Sequence, residues 1–163
     1  MNELKKLFWD LKRVDVSTII TNPAVWGVMN FRISAFLWRL KYLRILYYFY
    51  FPVWRFISLL TGIEIYGKTK IGRGLKIIHF GQIFINPKTN IGNSLLIYKD
   101  VTIGSKEYEG GEAPNLGNNI KIGVGSRILG NLKIGNNCIV GANSIVTKSF
   151  PPNSKIIGIN KTC

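Results

Sequence analysis

Histidine is the side-chain type whose ordinary titration falls near neutrality, and this 163-residue chain has one, His79. It stands in the stretch GLKIIHFGQIF, and a carboxylate, Glu64, precedes it by fifteen residues. A carboxylate within reach of an imidazole holds the ring's tautomer and stabilises the imidazolium that forms when the ring takes a proton, which is the arrangement of a general base. No serine or cysteine accompanies His79 in a nucleophile motif, so the pair points to direct attack by an activated acceptor, without a covalent intermediate. No metal is expected, because a catalytic zinc centre of the three-histidine kind cannot be assembled from one. The plain alternative is a solitary histidine satisfied in the core or at the surface.

What must position these residues is a six-residue beat. Aliphatic residues open units at Ile65, Ile71, Ile77, Ile85, Ile91, Ile97 and Ile103, and after an interruption at Leu116, Ile122, Ile128, Ile134, Val140 and Val146. Glycine follows many openers, and a compact or aliphatic residue comes four positions after, as at Thr69, Thr89, Val101, Ser126, Cys138 and Ser144. A hexapeptide period marks a parallel β-helix, whose openers and fourth-following residues point inward. Three units make a triangular turn of eighteen residues. Glu64 and His79 would then meet on adjacent coils, offset by three residues and by the two extra residues between Ile77 and Ile85. The expected fold class is mainly β, with residues 62–163 forming the coil domain. The segment Ser105–Asn115 leaves the beat as an extruded loop, either a tolerated insertion or a wall over the active site.

Residues 1–61 are of another kind. They hold all four tryptophans, and residues 1–60 carry fourteen of the twenty aromatics with nine Lys or Arg against three acids. Periodicity predicts helices over 4–14 and 25–43, and a solenoid needs such a cap over its open end. The aromatic and basic mixture also fits an anionic membrane surface. A spanning helix is not expected: the most apolar run, residues 45–54, is ten residues long and contains Pro52, whereas a span needs about 20. A net charge of +14 with pI near 10.0 calls for an anionic partner. No nucleic-acid motif is present, so nucleic acid is set aside. The absence of a signal-peptide pattern, and of any disulfide framework around Cys138 and Cys163, places the expected site of action in the cytoplasm.

The stretches TGIEIYGKTKIGRGLKIIHFG, VTIGS, the loop ending in APNLG, and IKIGVGSRILGNLKIGNNCIVGANSIVTKSFPPNS together resemble the serine acetyltransferase branch of the hexapeptide acyltransferases. Within that branch the chain looks most like the capsule and exopolysaccharide O-acetyltransferases of the colanic acid type. The resemblance covers residues 62 onward in sequence and residues 1–60 only in character. It implies a left-handed parallel β-helix with an N-terminal α-helical cap, a homotrimer, and acetyl-CoA as co-substrate. It puts His79 at the catalytic histidine and Glu64 where the family has a supporting aspartate. It lays CoA along a groove between subunits, near the main chain of Gly104, Val124 and Ala142, with Lys148 toward its phosphates; Lys148 also reads as a plain solvated lysine. Serine-specific members carry a second histidine before a proline in the extruded loop. Here Ala113 precedes Pro114, and Glu112 stands where arginine is frequent. That departure turns the expectation from serine to a carbohydrate hydroxyl. The enzyme expected is an O-acetyltransferase of capsule or exopolysaccharide synthesis, with a free, nucleotide-linked, lipid-linked or polymeric carbohydrate acceptor, peripheral on the inner face of the cytoplasmic membrane. The alternatives are a serine O-acetyltransferase and a non-catalytic β-helix scaffold.

Overall fold

The computed structural model describes all residues except 1, 13, 43, 107–110 and 163, so the tip of the extruded loop and Cys163 lie outside the described residues. Four helices come first: α1 (Glu3–Leu11), α2 (Val16–Thr21), α3 (Pro23–Arg39) and α4 (Ile45–Thr61). Their starts follow local chemistry. The Asn2 side chain accepts from the Lys5 amide, Asp15 from Thr18, and Asn22 from Ala24, with Pro23 opening α3. α4 ends at Gly62, whose φ of 65° is the left-handed conformation that closes helices. The ten-residue run around Pro52 is therefore part of a 17-residue helix.

The coil follows in short strands. In chain order they are β1 (Ile63–Ile65), β2 (Lys70–Ile71), β3 (Lys76–Ile78), β4 (Ile83–Ile85), β5 (Asn90–Ile91), β6 (Leu95–Tyr98) and β7 (Thr102–Gly104). Then come β8 (Asn115–Leu116), β9 (Ile120–Ile122), β10 (Arg127–Leu129), β11 (Lys133–Ile134), β12 (Ile139–Val140), β13 (Ile145–Val146), β14 (Lys155–Ile157) and β15 (Lys161–Thr162). Through β13, every third strand joins the same sheet. One sheet runs β1-β4-β7-β10-β13, the second β2-β5-β8-β11, and the third β3-β6-β9-β12-β14-β15. All pairings are parallel except β14 with β15, so the chain winds as a three-sided parallel β-helix.

The register explains the two irregularities. Phe84 pairs with Thr102, and Arg127 with Ile145, eighteen residues apart in each case. Glu64 pairs with Phe84, twenty apart, because the turn carrying His79 is two residues longer. Thr102 pairs with Arg127, twenty-five apart, because the extruded loop intervenes. The openers stack in columns: Ile65, Ile85, Ile103, Ile128 and Val146 are paired in succession and almost wholly buried. Burying an aliphatic side chain of this size is worth about 1.5–3 kcal/mol, so the columns are the main source of the coil's stability.

The helices cover the first coil. Ala24, Val28, Phe31 and Ala35 of α3 join the coil's apolar core. Gly27 lets α3 approach closely, since a Cβ there would lie 2.5 Å from Ile63 Cδ1. Arg32, fully buried, ties three elements together. Its guanidinium donates to Asp10 (2.7 Å) and Glu3 (3.0 Å) of α1 and to the carbonyls of Ile71 (3.0 Å) and Gly72 (2.5 Å) in the coil. On the other flank of α3, Asn30 donates to the Trp54 carbonyl and accepts from the Tyr50 hydroxyl of α4.

Candidate functional site

His79 sits in the turn between β3 and β4 with φ 63°, and its side chain is exposed. Left-handed backbone at a residue other than glycine is uncommon and costs of order 1–3 kcal/mol. The corners that follow the next strands of the same sheet turn in the same way, at Asp100, Gly125 and Asn143. His79 lies at the edge of a cleft of about 290 Å³ whose other walls come from the cap: Asp10 and Leu11 of α1, Val14 and Asp15 before α2, Thr18 within it, and Asn22 and Val25 at the start of α3. Lys76 is the one lysine or arginine among the lining residues.

The two acids in that cleft are already engaged. Burial pushes the Asp10 carboxyl above the ordinary carboxylate range, with the Arg32 guanidinium working against it. Asp10 also accepts from the amides of Gly74 (2.7 Å) and Leu75 (2.9 Å), which fixes the strand leading to His79. Asp15 is held well below the usual range, first by the Ser17 hydroxyl and then by the amide and hydroxyl of Thr18.

Within one chain the Glu64 carboxylate is bonded to residues other than His79. Its Oε1 accepts from the Tyr66 hydroxyl, its Oε2 from Arg55 Nη1 at 3.4 Å, and no hydrogen bond among the described residues joins it to the imidazole. The reason is the winding. Glu64 is on β1, in the first sheet, with Phe84 of β4 as its neighbour, whereas His79 follows β3 of the third sheet. Tyr66 rests against Trp54 with ring centroids 4.7 Å apart. Burial, and then its bond to Glu64, pushes the Tyr66 phenol up to about 12, so it stays protonated as the donor. Glu64 thus belongs to a groove lined by Arg55, Gln82, Phe84, Asp100, Thr102 and Arg127, which has no lining residue in common with the cleft at His79.

The residues assigned to CoA divide between two corners of the triangle. Val124 and Ala142 follow β9 and β12, successive strands of the third sheet. The coils touch there, since a Cβ on Gly123 would lie 2.6 Å from the Ala142 nitrogen. Gly104 ends β7 of the first sheet, and its carbonyl accepts from the Gly130 amide at 2.8 Å. Lys148 is exposed, with its ammonium 5.6 Å from the Phe150 ring centroid. In the loop, Ala113 is buried and Glu112 exposed.

Sequence reasoning missed Arg55, Tyr66 and the cap residues in the cleft. Tyr66 was within reach, because residues two apart on a strand share a face. Arg55 was not, since nothing in the hexad pattern says where α4 crosses the first coil.

Three parallel sheets wound in hexads, with an imidazole at a lengthened corner under a helical cap, describe a hexapeptide-repeat architecture. Residues 113–148 match the family model described as bacterial transferase hexapeptide (six repeats). The serine acetyltransferase of Staphylococcus aureus (strain Mu50) is 42% identical over 100 residues, which are 61% of this chain and 47% of that protein. The serine acetyltransferase of Staphylococcus epidermidis is 43% identical over a stretch of the same length and coverage. The chain thus spans about half the length of the relatives it matches. Among solved structures, the serine acetyltransferase of Neisseria gonorrhoeae superposes with a TM-score of 0.85 at 27% identity, covering 99% of this chain and 64% of that one. Soybean serine acetyltransferase complexed with serine superposes with a TM-score of 0.84 at 26% identity, covering 99% and 69%. These likenesses support the serine acetyltransferase branch of the acyltransferases. They overturn the reading of a polysaccharide O-acetyltransferase with a carbohydrate acceptor, which the change at Glu112 and Ala113 had suggested.

Proposed function

We propose that this chain transfers the acetyl group of acetyl-CoA to the hydroxyl of serine. The observation that carries the reading is the 42% identity over 100 residues with a protein named serine acetyltransferase. The superposition on a serine-bound structure of that name is consistent with it. His79 is the base. It takes the hydroxyl proton as the serine oxygen attacks the thioester carbonyl. The new C–O bond forms, the C–S bond breaks, and the proton passes to the departing CoA sulfur. General-base catalysis of this kind contributes about 10²–10⁴-fold. Within one chain Glu64 orders Tyr66 and Arg55 rather than the imidazole, so the proposal rests on His79 and gives Glu64 no proton to move.

The remaining assignments follow the same reading. The coil winds left-handed and three copies assemble. CoA runs between copies past the main chain of Gly104, Val124 and Ala142, with Lys148 toward its phosphates. The alanine and glutamate at positions 113 and 112 offer no cation for the acceptor's carboxylate, and Lys76 is the cation at hand in the cleft beside His79. The test is release of the CoA thiol from acetyl-CoA by the purified chain, with and without L-serine, with the product identified by mass. Serine-dependent release and a mass increase of one acetyl group on serine are expected. An equal rate with and without serine sinks the proposal.

A further inference from the structure

We propose that the helical cap docks onto an anionic lipid surface, a property separate from acetyl transfer. Among the described residues, sixteen of the twenty-two exposed large apolar side chains lie within residues 1–61. They concentrate on α4, where Phe49 is 75%, Leu59 67% and Phe56 62% exposed. A face of this size on a soluble surface marks a partner. The charge arrangement says which kind. Two acids of the cap point inward: the Glu3 and Asp10 side chains are 2% and 0% exposed and bind Arg32. Among the described residues of the cap, Asp15 is the one exposed acid, and it is spent on capping α2.

Arg32 and Lys6 serve the inward knot, and the other described cations of the cap stay outside. Two of them, Lys12 and Arg44, join Lys68 and Arg73 of the first coil around two tryptophans. The ring of Trp9 in α1 has Lys12 and Arg73 at 5.1 and 4.8 Å from its centroid. The ring of Trp38, which packs edge-on against Tyr47 of α4, has Arg44 and Lys68, both at 4.6 Å. Tryptophan beside lysine and arginine at the border of an apolar face is the composition that settles in a lipid headgroup layer. A second copy of the chain is a poorer occupant, because its cap brings the same excess of cations. The one exposed acid of that cap among the described residues, Asp15, is already spent on capping α2. No helix among the described residues is long and apolar enough to cross a membrane, so the contact is with the surface.

The test is co-sedimentation of the full chain with phosphatidylcholine vesicles and with mixed phosphatidylcholine–phosphatidylserine vesicles. Binding to the mixed vesicles is expected, weakening as salt screens the surface. Each lysine or arginine near such a surface is worth roughly fivefold in affinity, so Arg44→Ala with Lys68→Ala should weaken binding at least about tenfold. Phe49→Ser with Phe56→Ser should weaken it by at least as much. Circular dichroism and thermal midpoint report whether each variant is folded. If a variant does not fold, the unaltered chain decides: docking must quench its tryptophan fluorescence when the lipid acyl chains are brominated. Failure to bind mixed vesicles at low salt overturns the proposal, as does absence of quenching. It is equally overturned if folded variants bind as the parent does, or if the Phe49/Phe56 variant falls to a smaller assembly by light scattering, which would show that a second copy covers the face.

Discussion

The coil and its cap are arranged in opposite senses. The coil hides its apolar residues in stacked aliphatic columns and turns amides outward: Asn118 donates to Asn136, and Asn119, Asn137 and Asn153 bond in succession along a corner. Those last three have positive φ, a conformation asparagine tolerates better than most side chains. The cap keeps a buried ionic knot at its junction with the coil, Arg32 between Glu3 and Asp10, and exposes aromatic side chains on α4. A repeat that stacks on itself needs no charge to specify its register, because each opener finds the next one eighteen or more residues on. A layer of unlike helices has no such template, and a few directional bonds must fix how it sits.

His79 tests whether the two regions form one site, since its cleft has walls from both. His79→Ala should lower serine-dependent CoA release by about 10²–10⁴-fold. The fold should be kept, as the side chain is exposed and makes no hydrogen bond among the described residues. Retention of the parental rate in a folded variant would remove His79 as the base. The junction itself is tested by Arg32→Met, which preserves much of the side chain's length but leaves the buried Asp10 carboxylate facing no guanidinium and Glu3 with Lys6 and Arg39 alone. Removing one partner from a buried ion pair costs about 3–5 kcal/mol, to be read by equilibrium urea unfolding. A loss below about 1 kcal/mol would show that the knot is not what seats the cap.

Legibility in the sequence followed the same division. The hexads fixed the three-sided coil because every opener obeys one rule, and the two-residue excess at His79 reappears as the twenty-residue step between Glu64 and Phe84. Fifteen residues is not a coil repeat, and within one chain the Glu64 carboxylate bonds Tyr66 and Arg55. The helices at residues 3–11 and 23–39 lie close to the expected spans. α4 was not read as one helix, because its aromatic run has no polar face to give it a period and Pro52 argues for a break. The acceptor was misread from Glu112 and Ala113. Two substitutions in a loop changed the expected chemistry, while the likeness over 61% of the chain is to serine acetyltransferases.

The smallest effect gives the sharpest form of the contrast. Ile122 belongs to a column in the third sheet, paired with Ile97 before it and Val140 after it, and is 0% exposed. Ile122→Ala leaves a cavity between two coils that cannot close without breaking register, and should cost about 2–5 kcal/mol. Phe56 is larger but 62% exposed, and Phe56→Ser should stay within about 0.5 kcal/mol of the parent by the same urea measurement in the absence of lipid. The inequality is the point of the comparison, because hydrophobic size alone predicts the reverse order. If Phe56→Ser instead costs as much as Ile122→Ala, α4 is already covered in solution by another part of the assembly. The cap would then have an inside that one chain does not show.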